Sequence, residues 1–213
     1  MGVTLTVGVR SPEAPASSSS RFSIEGIGQA LRDRDPRIID GATHAAAVAL
    51  VLRPADRGLE ALFIKRAEHP NDPWSGHVGL PGGRAETTDA GLVHTAIRET
   101  AEEIGLQLSL DHDLLGPLDE TRATARTRSI DMKIAPFVFA AVDAPDDLVL
   151  SEEVAATHWI PLFDLFDSAH AASVTMQHLG QTLRFPAIEI SGLTIWGLTL
   201  RMLRNFETLA ASR

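Results

Sequence analysis

Residues 89–105, DAGLVHTAIRETAEEIG, set Leu92, Val93, Ala96, Ile97, Ala101 and Ile104 on one face of a 3.6-residue repeat, and Gly105 stands where a left-handed residue would end the helix. Arg98, Glu99, Glu102 and Glu103 line the edge of that apolar arc. At about 100° per residue, Glu99 and Glu103 fall about 40° apart, with Glu102 about 60° from Glu99 on the other side. Carboxylates at this spacing repel by a few tenths of a kcal/mol per pair, and anions in the last turns oppose the helix dipole by roughly 0.3–1 kcal/mol each. Arg98 offsets part of this through Glu102, and a divalent cation would reverse the sign of the rest. Hard cations such as Mg²⁺ or Mn²⁺ prefer oxygen ligands, and Mg²⁺ keeps waters that a phosphate can replace. Just upstream, Leu80-Pro81-Gly82-Gly83 breaks regular structure, and its glycines let the backbone approach a ligand closely. A carbonyl there, at Gly82, would complete a metal shell.

Working outward, Ala45 to Leu52 and Leu59 to Lys65 are apolar runs joined by Pro54-Ala55-Asp56-Arg57-Gly58, the pattern of a hairpin. Further strands are expected at Gln107–Leu110, Thr121–Thr127, Lys133–Val142 and Ala156–Ile160, and a second hairpin across Val174–Ile190 bending near Leu179-Gly180. Ile24, Ile27 and Leu31 mark a short helix stopped by Asp35-Pro36, and Leu193–Ala210 has the spacing of a last helix. Strands interleaved with helices predict a layered α/β or α+β domain over residues 21–213. Residues 1–20, ending in a serine run, are expected to be a flexible leader.

Composition narrows the function. A chain of 213 residues, 44% hydrophobic and 22% charged, has the make-up of a globular domain. No apolar run approaches the roughly 18 residues a bilayer crossing needs, and the opening residues lack a secretory pattern. A cytoplasmic protein with no membrane partner is the expectation. With no cysteine, any metal must sit on oxygen or histidine. A net charge of −9 disfavours a nucleic-acid partner. The eight histidines show no i, i+4 pair of the zinc type, and the chain has neither a serine-hydrolase elbow nor a Walker loop.

The combination of a Gly-Gly loop, a helix and Arg-Glu-x-x-Glu-Glu-x-Gly resembles the Nudix hydrolases, whose signature is G-x5-E-x7-R-E-U-x-E-E-x-G-U with U aliphatic. Arg98, Glu99, Glu102, Glu103, Gly105 and Leu106 match its second half, with Thr100 at the first U. The first half departs, since Ala90 and Arg84 stand where Glu and Gly belong. Reading from Gly83 gives Gly83-x5-Asp89-x8-Arg98, one residue longer and with Asp for Glu, which looks like the coenzyme A pyrophosphatase branch. Arg66-Ala67 followed by Gly76-x3-Leu80-Pro81-Gly82-Gly83 is similar to that branch's upstream signature, R-[SA]-x3-R-x3-G-x3-F-P-G-G. The segment between Arg66 and Gly76 is one residue longer than in that signature, its second Arg falls among Asn71 and Asp72, and Leu80 replaces Phe. Ile195-Trp196-Gly197-Leu198-Thr199 also looks like this branch.

The resemblance implies an α/β/α sandwich around a mixed sheet and hydrolysis of a diphosphate in a nucleoside diphosphate linked to a moiety X. The implied substrate is coenzyme A or a derivative, releasing 3′,5′-ADP and 4′-phosphopantetheine. Other nucleotides (ADP-ribose, NADH, an oxidised nucleoside triphosphate) and a non-hydrolysing nucleotide sensor are the alternatives. Glu99 and Glu103 would be the principal ligands of Mg²⁺ or Mn²⁺, Glu102 a further ligand or the base, and Arg98 the residue orienting them. Glu153 is an outside candidate for the metal shell or the base. Arg66 and Arg84 are candidates for phosphate contacts through their forked donors, and Trp74 for stacking on a nucleobase. His77 is the histidine to watch, and Trp159 and Trp196 are expected in the core. A homodimer is the assembly suggested by the family.

Overall fold

The computed structural model describes residues 3–5, 22–68, 76–123, 131–178 and 181–211. Along the chain lie β1 (Val3–Leu5), α1 (Ile24–Arg32), β2 (His44–Ala55), β3 (Gly58–Arg66), β4 (Val78–Gly79), β5 (Gly82–Arg84), α2 (Leu92–Ile104), β6 (Leu114–Pro117) and β7 (Thr121–Ala123). They are followed by β8 (Met132–Ala140), β9 (Val154–Pro161), α3 (Leu162–Leu165), β10 (Ala171–His178), β11 (Gln181–Ile190), β12 (Leu193–Trp196) and α4 (Gly197–Ala210).

The expected first hairpin forms, with Leu52 opposite Ala61 and Ala55 opposite Gly58. Successive side chains on a strand point to opposite faces, and here both faces are buried. Leu50, Leu52 and Phe63 enter one core, while Ala47, Ala49, Val51, Leu62 and Ile64 enter the other. This explains why the two strands read as nearly continuous apolar runs. β8 lies parallel to β2 from His44 opposite Met132 to Leu52 opposite Ala140, making the main sheet mixed. Its path is β4-β3-β2-β8-β6, with β5 on β2, β7 on β8 and β9 on β3. α2 covers one face through Ala96 and Ile104. The other face is covered by Ile27 and Leu31 of α1, by Met202, Leu203 and Phe206 of α4, and by Ile188, Ile190, Leu193 and Ile195 of β11 and β12, which belong to a small antiparallel sheet of order β1-β10-β11-β12. The result is the expected α+β sandwich around a mixed sheet. No helix among the described residues is long and apolar enough to cross a membrane.

The hairpin is split. Beyond Leu52 and Ala61 its strands part, and the segment 78–84 fills the opening. β4 pairs with β3 (Ile64 opposite Gly79) and β5 pairs with β2 (Val48 opposite Gly82), while the Ala49 N–H donates to the Pro81 carbonyl at 2.9 Å. Just outside this insert the Arg66 N–H donates to the His77 carbonyl at 3.0 Å.

Several boundaries differ from expectation. Gln107–Leu110 is not a strand: Leu106 and Leu108 are buried in alternation, which mimics one, but the segment turns instead, with the Asp113 carboxylate accepting from the Ser109 N–H at 2.7 Å. Leu114–Pro117 is a strand that Gly116 and Pro117 disguise. The last helix begins only at Gly197, because Leu193–Trp196 forms β12 and Gly197 has φ +65°. Val3–Leu5, within the expected leader, pairs with β10. Residues 124–127 of the expected Thr121–Thr127 strand and the bend at 179–180 lie outside the described residues.

Candidate active site

Burial fixes α2 against the sheet, and that fixes where its polar edge points. Its C-terminus is closed by Gly105 at φ +70°, whose N–H donates to the Ala101 carbonyl at 3.0 Å. In the last turn Glu103 is buried, and its Oε2 accepts from the Gly82 N–H at 2.8 Å. The loop and the helix are therefore joined by the first of the expected metal-binding carboxylates. Glu99 sits against the next glycine: a Cβ on Gly83 would lie 2.4 Å from the Glu99 carboxyl carbon. A Cβ on Gly82 would lie 2.3 Å from the Ala47 carbonyl oxygen. The two glycines are required for different reasons: a side chain at Gly83 would displace the Glu99 carboxylate, and one at Gly82 would meet the backbone of β2.

Arg98 organises the edge. Its Nη1 donates to Glu99 Oε1 at 3.0 Å and to Glu102 Oε2 at 3.1 Å, so the expected contact with Glu102 forms and extends to Glu99. Its Nε and Nη2 grip both oxygens of Asp89 at 2.9 and 3.0 Å, and Nη2 also reaches the Arg84 carbonyl at 3.0 Å. Asp89 further accepts from the Glu86 N–H at 2.9 Å and the Thr95 hydroxyl at 2.8 Å. These donors, Arg98 first, hold the Asp89 carboxyl far below the usual carboxylate range. Asp89 anchors Arg98, a role the candidate residues did not include. The signal was in the sequence, as the acidic residue found on counting from Gly83.

The carboxylates that face the loop are perturbed in the opposite direction. Burial raises Glu103 to about 7, with Glu99 and Glu153 adding to the rise and the Gly82 N–H and Arg66 opposing it. Burial also raises Glu99, opposed by Arg98 and reinforced by Glu102 and Glu153. Glu102 is largely exposed. Arg66 places Nη1 3.7 Å from Glu103 and Nη2 3.9 Å from Glu153, so it bridges two carboxylates across the site. Glu153 is 73% exposed, and its backbone carbonyl accepts from the Ala67 N–H at 2.8 Å. The Arg84 side chain is exposed at the end of β5. Trp74 lies outside the described residues. His77 meets Trp196 edge-on, ring centroids 5.2 Å apart. Trp159 packs against one core cluster beneath the Arg53 guanidinium, and both it and Trp196 are half-buried where the core was expected.

A buried Glu103 and a half-buried Glu99, repelling each other and backed by glycine, with an exposed Glu102 beside them, are the donors a hard cation needs, so the residues fit a divalent metal. As they stand, Arg98 holds two of them, and no three His, Asp or Glu side chains among the described residues already enclose a cation position. Arg98 donates to Oε1 of Glu99 and Oε2 of Glu102, so each carboxylate keeps its second oxygen for a cation while Asp89 holds Arg98 in place.

The NUDIX domain matches residues 42–179. An uncharacterised Nudix hydrolase, NudL of Yersinia enterocolitica, is 30% identical over 197 residues, covering 89% of this chain and 93% of that protein. An uncharacterised protein of Schizosaccharomyces pombe is 38% identical over 106 residues, 49% of this chain, and the match spans 32% of that protein's length. Among solved structures, a Caenorhabditis elegans Ap4A hydrolase complex is 21% identical with a TM-score of 0.45, covering 60% of this chain and 86% of that one. The NUDIX domain of Shewanella oneidensis NrtR complexed with ADP ribose is 22% identical with a TM-score of 0.44, covering 64% and 84%. On the domain match, and on the likeness to NudL across most of both chains, the chain belongs to the Nudix hydrolase family.

Proposed function

We propose that this Nudix hydrolase cleaves the diphosphate of coenzyme A or its derivatives with Mg²⁺ or Mn²⁺, releasing 3′,5′-ADP and 4′-phosphopantetheine. The reaction class rests on one observation above all: a buried Glu103 tied to the Gly82 N–H, beside Glu99 and an Arg98 anchored by Asp89. The choice of coenzyme A rests on the stretch from Arg66-Ala67 to Leu80-Pro81-Gly82-Gly83, similar to the signature of that branch. The extra residue before Gly76 and the missing second arginine favour a different nucleotide, such as ADP-ribose or NADH, as the second reading.

Glu99 and Glu103 would hold the metal, with Glu102 as a further ligand. When bound, the ion neutralises diphosphate charge and acidifies water. The chain's own groups do the rest. Arg98, braced by Asp89 and the Arg84 carbonyl, keeps the glutamate edge oriented. If Glu102 is not a ligand, it would take the proton of a water attacking phosphorus from its exposed position on that edge, and Glu153 is the other candidate for that role. The leaving phosphate departs as the bridging oxygen's bond to phosphorus breaks. Arg66 and Arg84 supply forked donors for phosphate oxygens. A cytoplasmic location and a homodimeric assembly belong to the same proposal.

The test is product release read by mass from coenzyme A, acyl-coenzyme A, ADP-ribose, NADH and oxidised nucleotides, with each metal. Cleavage of coenzyme A to 3′,5′-ADP is expected. Preference for another nucleotide would refute the substrate, and nucleotide binding with no cleavage of anything would replace the hydrolase by a sensor.

A further inference from the structure

Trp196 ends β12 immediately before Gly197, and two other aromatic rings close on it from different elements. His77 approaches at 5.2 Å with its plane tilted by 62°, and Phe185 of β11 at 6.0 Å and 49°. Neither ring lies parallel to the indole, and all three residues are half-buried rather than packed away. The cluster is tied to the site through backbone. His77 directly precedes β4, its carbonyl accepts from the N–H of Arg66, and the Arg66 guanidinium lies 3.7 Å from Glu103. On the far side, the Thr199 hydroxyl donates to the Val78 carbonyl at 3.3 Å, fixing the start of α4 to the same short strand.

We infer that Trp196, with His77 and Phe185, forms the wall that receives the nucleobase of the substrate, so that base recognition comes from the β11–β12–α4 unit. This deepens the proposed function and rests on it for the nature of the ligand, a nucleoside diphosphate. Two observations carry it. The chain that binds such a ligand needs an apolar, flat surface near its phosphate-holding residues, and this cluster is joined by hydrogen bonds to Arg66 and to the strand that leads into Gly82. Moreover, Phe185 and Trp196 lie beyond residues 42–179, the stretch matched by the NUDIX domain, so the wall is an addition of the C-terminal segment to the shared catalytic framework.

The probes are ADP, which carries the base, and inorganic pyrophosphate, which does not. Binding of each to the full-length protein is measured by calorimetry in Mg²⁺, for wild type, Trp196→Leu and Trp196→Phe. Stacking on an aromatic residue is worth about 1–3 kcal/mol per base, so Trp196→Leu should weaken ADP by about 5- to 150-fold. Pyrophosphate binding should stay within about twofold, and Trp196→Phe should recover most of the ADP affinity. Equal loss of both probes would assign Trp196 a purely structural role, and an unchanged ADP affinity, or no ADP binding by wild type, would also overturn the inference. Hydrolysis is read separately: base-dependent binding without cleavage of any nucleotide would refute the hydrolase reading while leaving the base wall standing.

Discussion

Replacing Glu103 by glutamine should make the metal-free protein more stable and nearly inactive. The Glu103 side chain is 6% exposed, accepts from the Gly82 N–H at 2.8 Å and lies 3.7 Å from Arg66. Burial nonetheless lifts its carboxyl from 4.5 to about 7. Between those values the folded chain holds a proton that the unfolded chain has released, so stability falls as pH rises through this window and stays lower above it. At about 1.4 kcal/mol per pH unit the upper bound is about 3 kcal/mol. Glutamine keeps an oxygen for the Gly82 N–H but turns an amide toward Arg66, which returns about 1 kcal/mol of the gain. A net gain on the order of 1–2 kcal/mol, or roughly 3–6 °C for a chain of this size, is expected at pH 8 in a chelator, shrinking toward zero at pH 5. Turnover should fall at least about a hundredfold, because the variant loses a ligand and not just a supporting contact. Thermal melts of both proteins at pH 5 and 8, with product assays at pH 8, test this. A Glu103→Gln protein that melts below wild type at pH 8, or a difference that ignores pH, would refute the claim that an uncompensated buried charge sits at the site.

Asp89→Asn should lower the melting temperature by on the order of 5 °C at pH 7, since it breaks the Arg98 clamp. Because the folded Asp89 value is depressed, its contribution is complete above the ordinary carboxylate range and is lost as pH falls through the folded value; the gap between variant and wild type should therefore narrow in strongly acidic melts. Gly83→Ala should fold but lose most activity, since its Cβ would displace the Glu99 carboxylate, whereas Gly82→Ala should reduce folded yield, its Cβ meeting backbone of β2; circular dichroism and turnover separate the two. Chelation should abolish hydrolysis, with recovery on adding Mg²⁺ or Mn²⁺ measured by product release.

The parts of the fold that were legible in sequence are those where one physical signal dominates. β2 and β3 are buried on both faces, so they read as apolar runs, and α2 combines a clean helical period with a glycine cap. Leu193–Ala210 failed because Ile195, Leu198 and Met202 keep helical spacing across a strand-to-helix junction, and only the left-handed Gly197 marks the change. Leu106 and Leu108 alternate like a strand yet meet no ladder. At the site, the Arg98 to Glu103 edge could be read from angles along one helix. The bridge from Arg66 to Glu153 could not, because it joins β3 to the start of β9 and depends on their pairing. Trp196 was expected in the core, within the helix read over Leu193–Ala210; it ends a strand instead, and Thr199 of α4 is tied to Val78 of β4, next to His77.

The split hairpin also says where this chain can absorb added length. Segment 78–84 is stitched to β3 on one side and β2 on the other, so an insertion there would slip register and carry Gly82 away from Glu103. The ends of the preceding loop, Arg66 and His77, are by contrast clasped by their own hydrogen bond. Closing a loop of greater length onto a fixed clasp costs only about 0.6 kcal/mol per doubling. The one residue by which the stretch from Arg66 to Gly76 exceeds the similar signature therefore need not disturb the pairing of 78–84, and Gly82 stays beside Glu103.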